Sequence, residues 1–518
     1  MMGKLTNQIN FSDTDEWYKR IPQNSFWHKV RQWAEENLSD DDFAHLYSSN
    51  RGRPSLPPVF MLKSILIQLE KQYSDRVMEE SAMFDDRVKY ALCLSRTPQI
   101  KLDHATLCRY RKIFLEDEQG KKILKKTIEN AAEAGLFEEA NKDAVDSFMI
   151  HGAAARQSTF TMIRKATARV LRQADVEGFI EDIRQKLNRD DYLNNKKPTI
   201  DWDNIEARNK LLTEMVLDAR TIALWAKENK AKISEELNQC IELLQIVAEQ
   251  DIEEKDGNIA IRQGVAKDRI ISVEDPQMRH GRKTTSSKTD GYKGHIMSGG
   301  IENKIITAAE ITAANVPDSE PVPDLIKQRQ ENTGSKPDSL SGDTAYGGAE
   351  TRKHIKKEKI KLIAKVPPST NVNGCFNKDK FIIDLDNKFI ECPAGVRLEI
   401  DKELGEKEIC CKFPKEQCQN CDLRNQCTKS KDGRTVRIHP HEALLQKARK
   451  QQQTAEFKEE YRFRSRIERI IYCVTKNGAR KGKYNGLEKN RFKLQLHTAL
   501  HNIKTILSLA KKNPAIVV

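Results

Sequence analysis

Hydrophobic positions in the first quarter of the chain recur at three and four, the spacing of a single helix face, and residues 15–137 are predicted to be all-helical. Pro57-Pro58 opens a helix whose apolar positions include Phe60, Met61, Ile65, Leu66 and Leu69. Ser74 is placed to cap the next short helix and Asp103 to cap a third over 103–112. On that third helix Leu107, Tyr110 and Phe114 are expected inward, with Arg109, Arg111 and Lys112 outward. A capped short helix, a tight connection and a basic second helix describe either a small bundle with a solvated face or a helix-turn-helix set against DNA.

The period then shortens. Residues 143–152 read as a strand, after which helical spacing returns over 159–254 through Leu211, Leu212, Met215, Leu217, Ile233, Leu237, Ile241 and Leu244. A loop over 194–203 interrupts this stretch of amphipathic helices. Its start, with Arg164, Lys165, Arg169 and Arg172, is a basic stripe, either a solvated face or a surface for a DNA backbone. Short β-rich runs follow at 292–299, 304–311, 336–342 and 360–366, with a helix near 317–331 between the second and third. That order is an α/β pattern. Gly, Lys and Asp then punctuate 371–439, which has little core-forming sequence, and from 440 the chain is helical again. The expected organisation is multidomain α+β. A helical unit spans 15–137, and an α/β core is assembled from 138–158, 255–370 and 440–512. A helical insertion covers 159–254 and a cysteine-rich insertion 371–439.

Charge adds a partner. Across 518 residues, 89 Lys and Arg against 76 Asp and Glu leave +13, which suits a polyanion. No apolar run approaches 18 residues and Met1-Met2-Gly3-Lys4 leads into polar sequence, so neither a membrane span nor a signal peptide is expected. A cytoplasmic, nucleoid-associated protein fits this balance. Of 11 cysteines, Cys93, Cys108, Cys240 and Cys473 are scattered and read as small buried side chains, whereas seven lie between Cys375 and Cys427. Within that cluster Cys418-x2-Cys421 has the chelate spacing of a structural zinc site, with Cys427 and Cys392 as the remaining ligands. An iron–sulfur cluster is the alternative.

The acids suggest chemistry. Asp343 follows a short strand and precedes Gly347-Gly348, a pair expected to turn the chain through φ values that other residues resist. Asp146 lies on the first strand, 343 − 146 = 197 residues upstream, with Asp143 as a competitor. Tyr461, Arg464 and Glu468, at i, i+3 and i+7, are expected on one helix face. Acids crowded together repel unless a cation joins them, and Mg²⁺ (or Mn²⁺) takes oxygen ligands. Asp146, Asp343 and Glu468 therefore form a candidate site for two such ions, which activate the attacking oxygen and stabilise the leaving one. Arg464, one turn before Glu468, is placed to meet a phosphate oxygen.

Together these residues resemble the DDE transposases of bacterial insertion sequences. The resemblance runs through Asp103-His104-x-Thr106-Leu107 with Arg111, Val145-Asp146-Ser147, and Asp275-Pro276-x-x-Arg279-x-Gly281-Arg282-Lys283. It continues through Asp290-Gly291-Tyr292-Lys293, Gly342-Asp343-x-x-Tyr346-Gly347 and Arg464-x-x-Ile467-Glu468. It implies an RNase H-like catalytic core with Asp146, Asp343 and Glu468 as the triad, preceded by a helical DNA-binding domain. It also implies end binding, phosphodiester cleavage and joining of 3′-OH ends to target DNA by a homodimer on paired ends. The related signature Tyr-x2-Arg-x3-Glu-x6-Lys fits Tyr461, Arg464 and Glu468, but its lysine arrives one position late, at Lys476. Arg279, Arg282, Lys283 and Lys293, among Thr and Ser hydroxyls, suit sugar-phosphate contacts, as does a second basic run through Lys476, Arg480 and Lys481. Two alternatives to a transposase are a DNA-binding remnant that no longer cuts and an RNase H-like nuclease without strand transfer.

Overall fold

Apolar side chains at nearly every position from Phe60 to Leu69 bury the second helix of the chain on all sides, and the first third of the protein assembles around it. The computed structural model describes residues 16–47, 54–96, 100–137, 141–194, 196–255, 258–264, 266, 268–283, 286–369, 374–400, 405 and 407–510. The limits expected at 15, 138, 371 and 512 lie outside the described residues. The opening helices are α1 (Phe26–Asn37), α2 (Pro58–Lys71), α3 (Asp75–Phe84), α4 (Asp86–Ala91), α5 (His104–Glu116) and α6 (Gln119–Glu133). Ser74 caps α3 by accepting the Val77 N–H, and Asp103 caps α5 by accepting those of Ala105 and Thr106. Leu107, Tyr110 and Phe114 are buried on α5 as the spacing predicts. Arg111 is not outward. Its guanidinium donates to both oxygens of Asp75 and to Gln68, so it ties α5 to α2 and α3. Nor is the connection into α5 tight, since residues 92–103 separate it from α4.

Strand β1 (Lys142–His151) follows, then α7 (Thr159–Val176), α8 (Ile180–Arg184), α9 (Ile205–Glu228) and α10 (Glu235–Glu249). These helices carry their own core, closed by Leu212, Val216, Ile222, Leu244 and Val247. A hairpin, β2 (Ile252–Lys255) and β3 (Asn258–Ile261), leads back to β4 (Arg279–Arg282), β5 (Lys288–Gly299) and β6 (Ile305–Ala313). Helix α11 (Val322–Thr333), β7 (Ser339–Ser341), α12 (Ala349–Lys357) and β8 (Lys361–Ile363) complete a six-stranded mixed sheet. Its order is β4-β5-β1-β7-β8, with β6 also on β5. β5 runs antiparallel to β1, β4 and β6, while β1, β7 and β8 are mutually parallel.

Residues 374–438 build more than the sequence suggests. β9 (Ile382–Asp384), β10 (Phe389–Glu391) and β11 (Arg397–Glu399) form one small sheet, and β12 (Ile409–Lys412) and β13 (Thr435–Ile438) another. Short helices α13 (Lys415–Gln419) and α14 (Arg424–Cys427) lie between the last two strands. Phe381, Ile390, Phe413, Val436 and Ile438 bury together, so apolar residues too sparse to announce a core still make one. The chain ends in α15 (Glu442–Gln451), α16 (Ala455–Arg462), α17 (Ser465–Val474) and α18 (Leu487–Ala510).

One continuous apolar cluster joins α1, α2, α5 and α6 to β1, β5 and β6 and to α17 and α18. The opening helices and the sheet therefore share a core. A second cluster covers the other sheet face, where Val145, Met297 and Leu340 meet α11 and α12. Alternation along β1 sends Asp143 and Asp146 to opposite faces. Asp143 is fully buried against the equally buried Arg329, with Nε 3.2 Å from Oδ2, and Thr307 donates to the same oxygen. Arg329 also donates to Asn141 and to the Ser335 carbonyl. Asp143→Ala leaves that guanidinium without its counter-charge, and a loss of about 3–5 kcal/mol is expected from the shift in the urea midpoint. An unchanged midpoint would show that Arg329 finds equal partners elsewhere.

Candidate active site

Strand β7 stops at Ser341, and the Asp343 carboxylate caps the turn Thr344–Gly347 by accepting the Ala345 N–H at 2.9 Å. The glycines matter here for a different reason from the one expected. Gly348 has an ordinary φ of −67°, and neither it nor Gly347 is left-handed. What requires Gly347 is proximity: a Cβ there would lie 1.8 Å from the Lys365 carbonyl oxygen. A Cβ on Gly342 would meet the Tyr346 ring at 2.9 Å.

Tyr346 is buried beneath three acids. Burial, followed by the charges of Asp318, Asp146 and Asp343, holds its phenol well above the ordinary tyrosine range. Asp146, midway along β1, has its carboxyl pushed up to about 6, chiefly by burial, with Asp343 and Asp318 as repelling neighbours. The Ser147 N–H, donating at 2.8 Å, and the nearby Arg464 act the other way. Parallel pairing of β7 with β1 thus brings two acids that are 197 residues apart (343 − 146) into electrostatic contact. Asp318 escaped the sequence reading because it sits just before a helix, where an acid reads as a cap. It lies 2.6 Å from Lys293 Nζ, though too misaligned for a hydrogen bond.

Glu468 projects from α17 exposed, whereas Ile467, Ile470 and Ile471 of the same helix are buried. Its carboxylate is 2.7 Å from Arg464 Nη2, and Arg464 in turn faces Asp146. Tyr461, Arg464 and Glu468 do not share one helix. The chain tightens to i→i+3 hydrogen bonds over Phe463 and Arg464, splitting α16 from α17. Arg464 nonetheless spans the break, with its guanidinium 5.7 Å from the Tyr461 ring centroid. Among the described residues the three acids do not come within 4.8 Å of one another as a set. The set that does is Glu79, Asp103 and His104, in which Asp103 caps α5 and His104 pairs with Glu79 at 2.8 Å.

Beyond α17 the helix widens into a π turn at Thr475–Ala479, with Gly478 left-handed at φ 90°. A π turn accommodates one extra residue, which coincides with the one-position delay of Lys476. The following loop is pinned to the end of β1: His151 N–H donates to the Arg480 carbonyl at 2.8 Å, and Gly482 N–H to that of His151 at 2.6 Å. Lys476, Arg480 and Lys481 keep exposed side chains, as do Arg282, Lys283, Arg109 and Lys112. Arg279 and Lys293 do not. Arg279 pairs with Asp268 and donates to the Pro276 and Met278 carbonyls. Lys293, 8% exposed, donates to the Val316 carbonyl beside Asp318.

The cysteines divide as well. Cys108 is exposed rather than buried. Cys392, Cys418, Cys421 and Cys427 line one cavity of about 30 Å³. Burial raises the Cys427 thiol, which also feels Cys418, Cys392 and Cys421. Among the described residues no three of these sulfurs lie within 4.8 Å of one another.

Two family models match the chain. One, described as the transposase DDE domain, covers residues 391–507, from just before Cys392 to beyond Glu468. The other, described as a transposase domain (DUF772), covers residues 15–113, the opening helices. No curated protein and no solved structure matches. Both matches are to transposase families, and together they support a DDE-type transposase of an insertion sequence. That family indicates a role in transposition, a nucleic-acid-cleaving or -transferring activity, DNA as a partner and use of a divalent metal. Among the described residues no helix is long and apolar enough to cross a membrane.

Proposed function

We propose that the protein binds the ends of its element, cleaves phosphodiesters there and joins the resulting 3′-OH ends to target DNA. Asp146, Asp343 and Glu468 are its catalytic acids. The observation that carries this reading is the mutual repulsion of Asp146 and Asp343, with Asp318 adding to it. Carboxylates that repel one another this way are poised for a cation, and their oxygen donors suit Mg²⁺ or Mn²⁺. A bound pair of such ions would activate the attacking oxygen and stabilise the leaving one. Arg464 orients Glu468 toward that site and keeps positive charge near a phosphate.

An RNase H-like core is supported by the sheet. Three antiparallel strands (β6, β5, β1) continue into two parallel ones (β7, β8) on the far side of β1, with Asp146 on β1 and Asp343 just past the end of the adjacent β7. Cutting two ends calls for a homodimer. The cysteine cavity is proposed as a structural metal site, zinc by ligand spacing, an iron–sulfur cluster otherwise.

The test uses supercoiled DNA carrying both element ends, with Mg²⁺, with Mn²⁺ and with EDTA. Metal-dependent nicks at the ends together with joined products are expected. Nicks without joined products would make the protein a nuclease, and binding without nicks a non-catalytic remnant.

A pH profile tests Asp146 separately. Its folded pKa, about 6, lies above the unfolded 3.8, so its contribution to stability is present below that unfolded value and lost as pH rises through about 6. The ionised form is the one that holds a cation. Cleavage under limiting metal should therefore climb between about pH 5 and about pH 7.5. Asp146→Asn should raise the metal-free Tm at neutral pH. A flat rate profile with an unchanged Tm would exclude this role.

A further inference from the structure

A cleft with a volume of about 1420 Å³ lies between the helical insertion and the β4–β5 arm. Small-molecule pockets occupy roughly 300–1,000 Å³, so a cleft of this size suits a length of polymer better than a compact ligand. Its wall is cationic. Arg156, Arg169, Arg172, Lys197, Arg282 and Lys288 line it, are exposed and carry no ion pair among the described residues. Arg169 and Arg172, three apart on α7, present adjacent charges from one helix face. Arg208 also lines it, with its Nε buried and without a hydrogen-bond partner. The two acids of the lining are engaged: Asp251 pairs with Arg269, and Glu274 with Lys165. A concave surface with this excess of unpaired cations suits a polyanion.

A second feature narrows the class. Trp202 lines the cleft while 39% exposed, its ring set edge-on to that of Phe160, also in the lining, at 5.4 Å between centroids. An indole left partly in water beside a cationic track is a platform for an unpaired base, since every base has a face to stack. A duplex keeps its base faces inside. The cleft also adjoins the catalytic strand, for Arg156 and Gln157 enter it shortly after β1 ends at His151. Five residues separate Asp146 from His151, roughly 16 Å at the rise of a strand.

We propose that this cleft holds a segment of unpaired DNA strand, with its phosphates along the insertion and the β4–β5 arm and a base stacked on Trp202. The proposal rests on the reading above only in taking DNA as the polyanion. It assigns the helical insertion to holding a strand opened beside the acids.

The test measures fluorescence anisotropy of a labelled oligo-dT and of a duplex of equal length with the full-length protein. Variants are Arg169→Gln with Arg172→Gln, and Trp202→Ala, each checked for unchanged Tm. The double variant should flatten the log–log salt dependence of single-strand binding by about 1.4, two contacts at about 0.7 each. Trp202→Ala should weaken single-strand binding about 5- to 150-fold with duplex binding unchanged. Single-strand binding unaltered in the double variant, or an equal loss on both substrates in Trp202→Ala, would overturn it. Wild-type protein that never nicks DNA yet shows these losses would sink the catalytic reading and leave the cleft assignment standing. Nicking without these losses would do the reverse.

Discussion

Asp343→Asn is expected to lower metal-dependent cleavage by about a thousandfold or more while leaving element-end binding within about twofold. The substitution is chosen because asparagine caps a turn as well as aspartate does. Its side-chain oxygen can still accept the Ala345 N–H, so the turn over Tyr346 should survive. What disappears is the charge that Asp146 feels from 197 residues away (343 − 146). With that neighbour neutral, the Asp146 carboxyl should titrate lower, and the cation should lose an oxygen ligand of full charge. Cleavage and binding are read from the same labelled end, by product mapping and by mobility shift. Cleavage retained at a tenth of the wild-type rate would remove Asp343 from the catalytic set. Glu468→Gln is the companion, because Glu468 is tied to Asp146 through Arg464. Equal loss in both variants supports one site, whereas loss only in Asp343→Asn would place the third acid elsewhere, with Asp318 the nearest claimant.

The features most legible in the sequence were those governed by local periodicity and capping. Ser74, Asp103 and the Pro57-Pro58 entry mark helices that form, and 143–152 marks the central strand within a residue at each end. Side-chain direction was less legible where charges are involved. Arg111, Arg279 and Lys293 look like a DNA surface because a basic residue near a loop or helix face is usually solvated. In each case an acid distant in sequence claims the charge: Asp75, Asp268 or Asp318. Such pairings are products of tertiary packing and leave no periodic trace. The same holds for Asp143, which differs from Asp146 only by the parity of its position on β1 and by Arg329, 186 residues later. Regions of low apolar content misled in the opposite direction. Residues 374–438 carry only a few hydrophobics on each of their three- and four-residue strands, too short for a periodic signal, and these still meet around Phe413.

That small core bears on the last prediction. Cys418→Ser combined with Cys421→Ser is expected to remove bound metal from the purified protein, from about one ion per chain to none, and to open 374–438 to protease. A structural zinc contributes on the order of 10 kcal/mol to a segment that cannot fold alone. Here Phe381, Ile390, Phe413, Val436 and Ile438 supply part of that stability themselves, so the damage should stay local. The opening helices, whose core runs through α18 and β1, should keep their Tm. Cleavage should nevertheless fall. The segment lies between β8 and α15, and α16 and α17 carry Arg464 and Glu468 from there to the site, so loosening it frees the third acid from its place. Metal analysis of the wild type separates the two ions, since a cluster of iron and sulfide absorbs visible light and zinc does not. Protein purified without either metal, with an unaltered proteolytic pattern in the double variant, would mean that packing alone holds the four cysteines around their cavity.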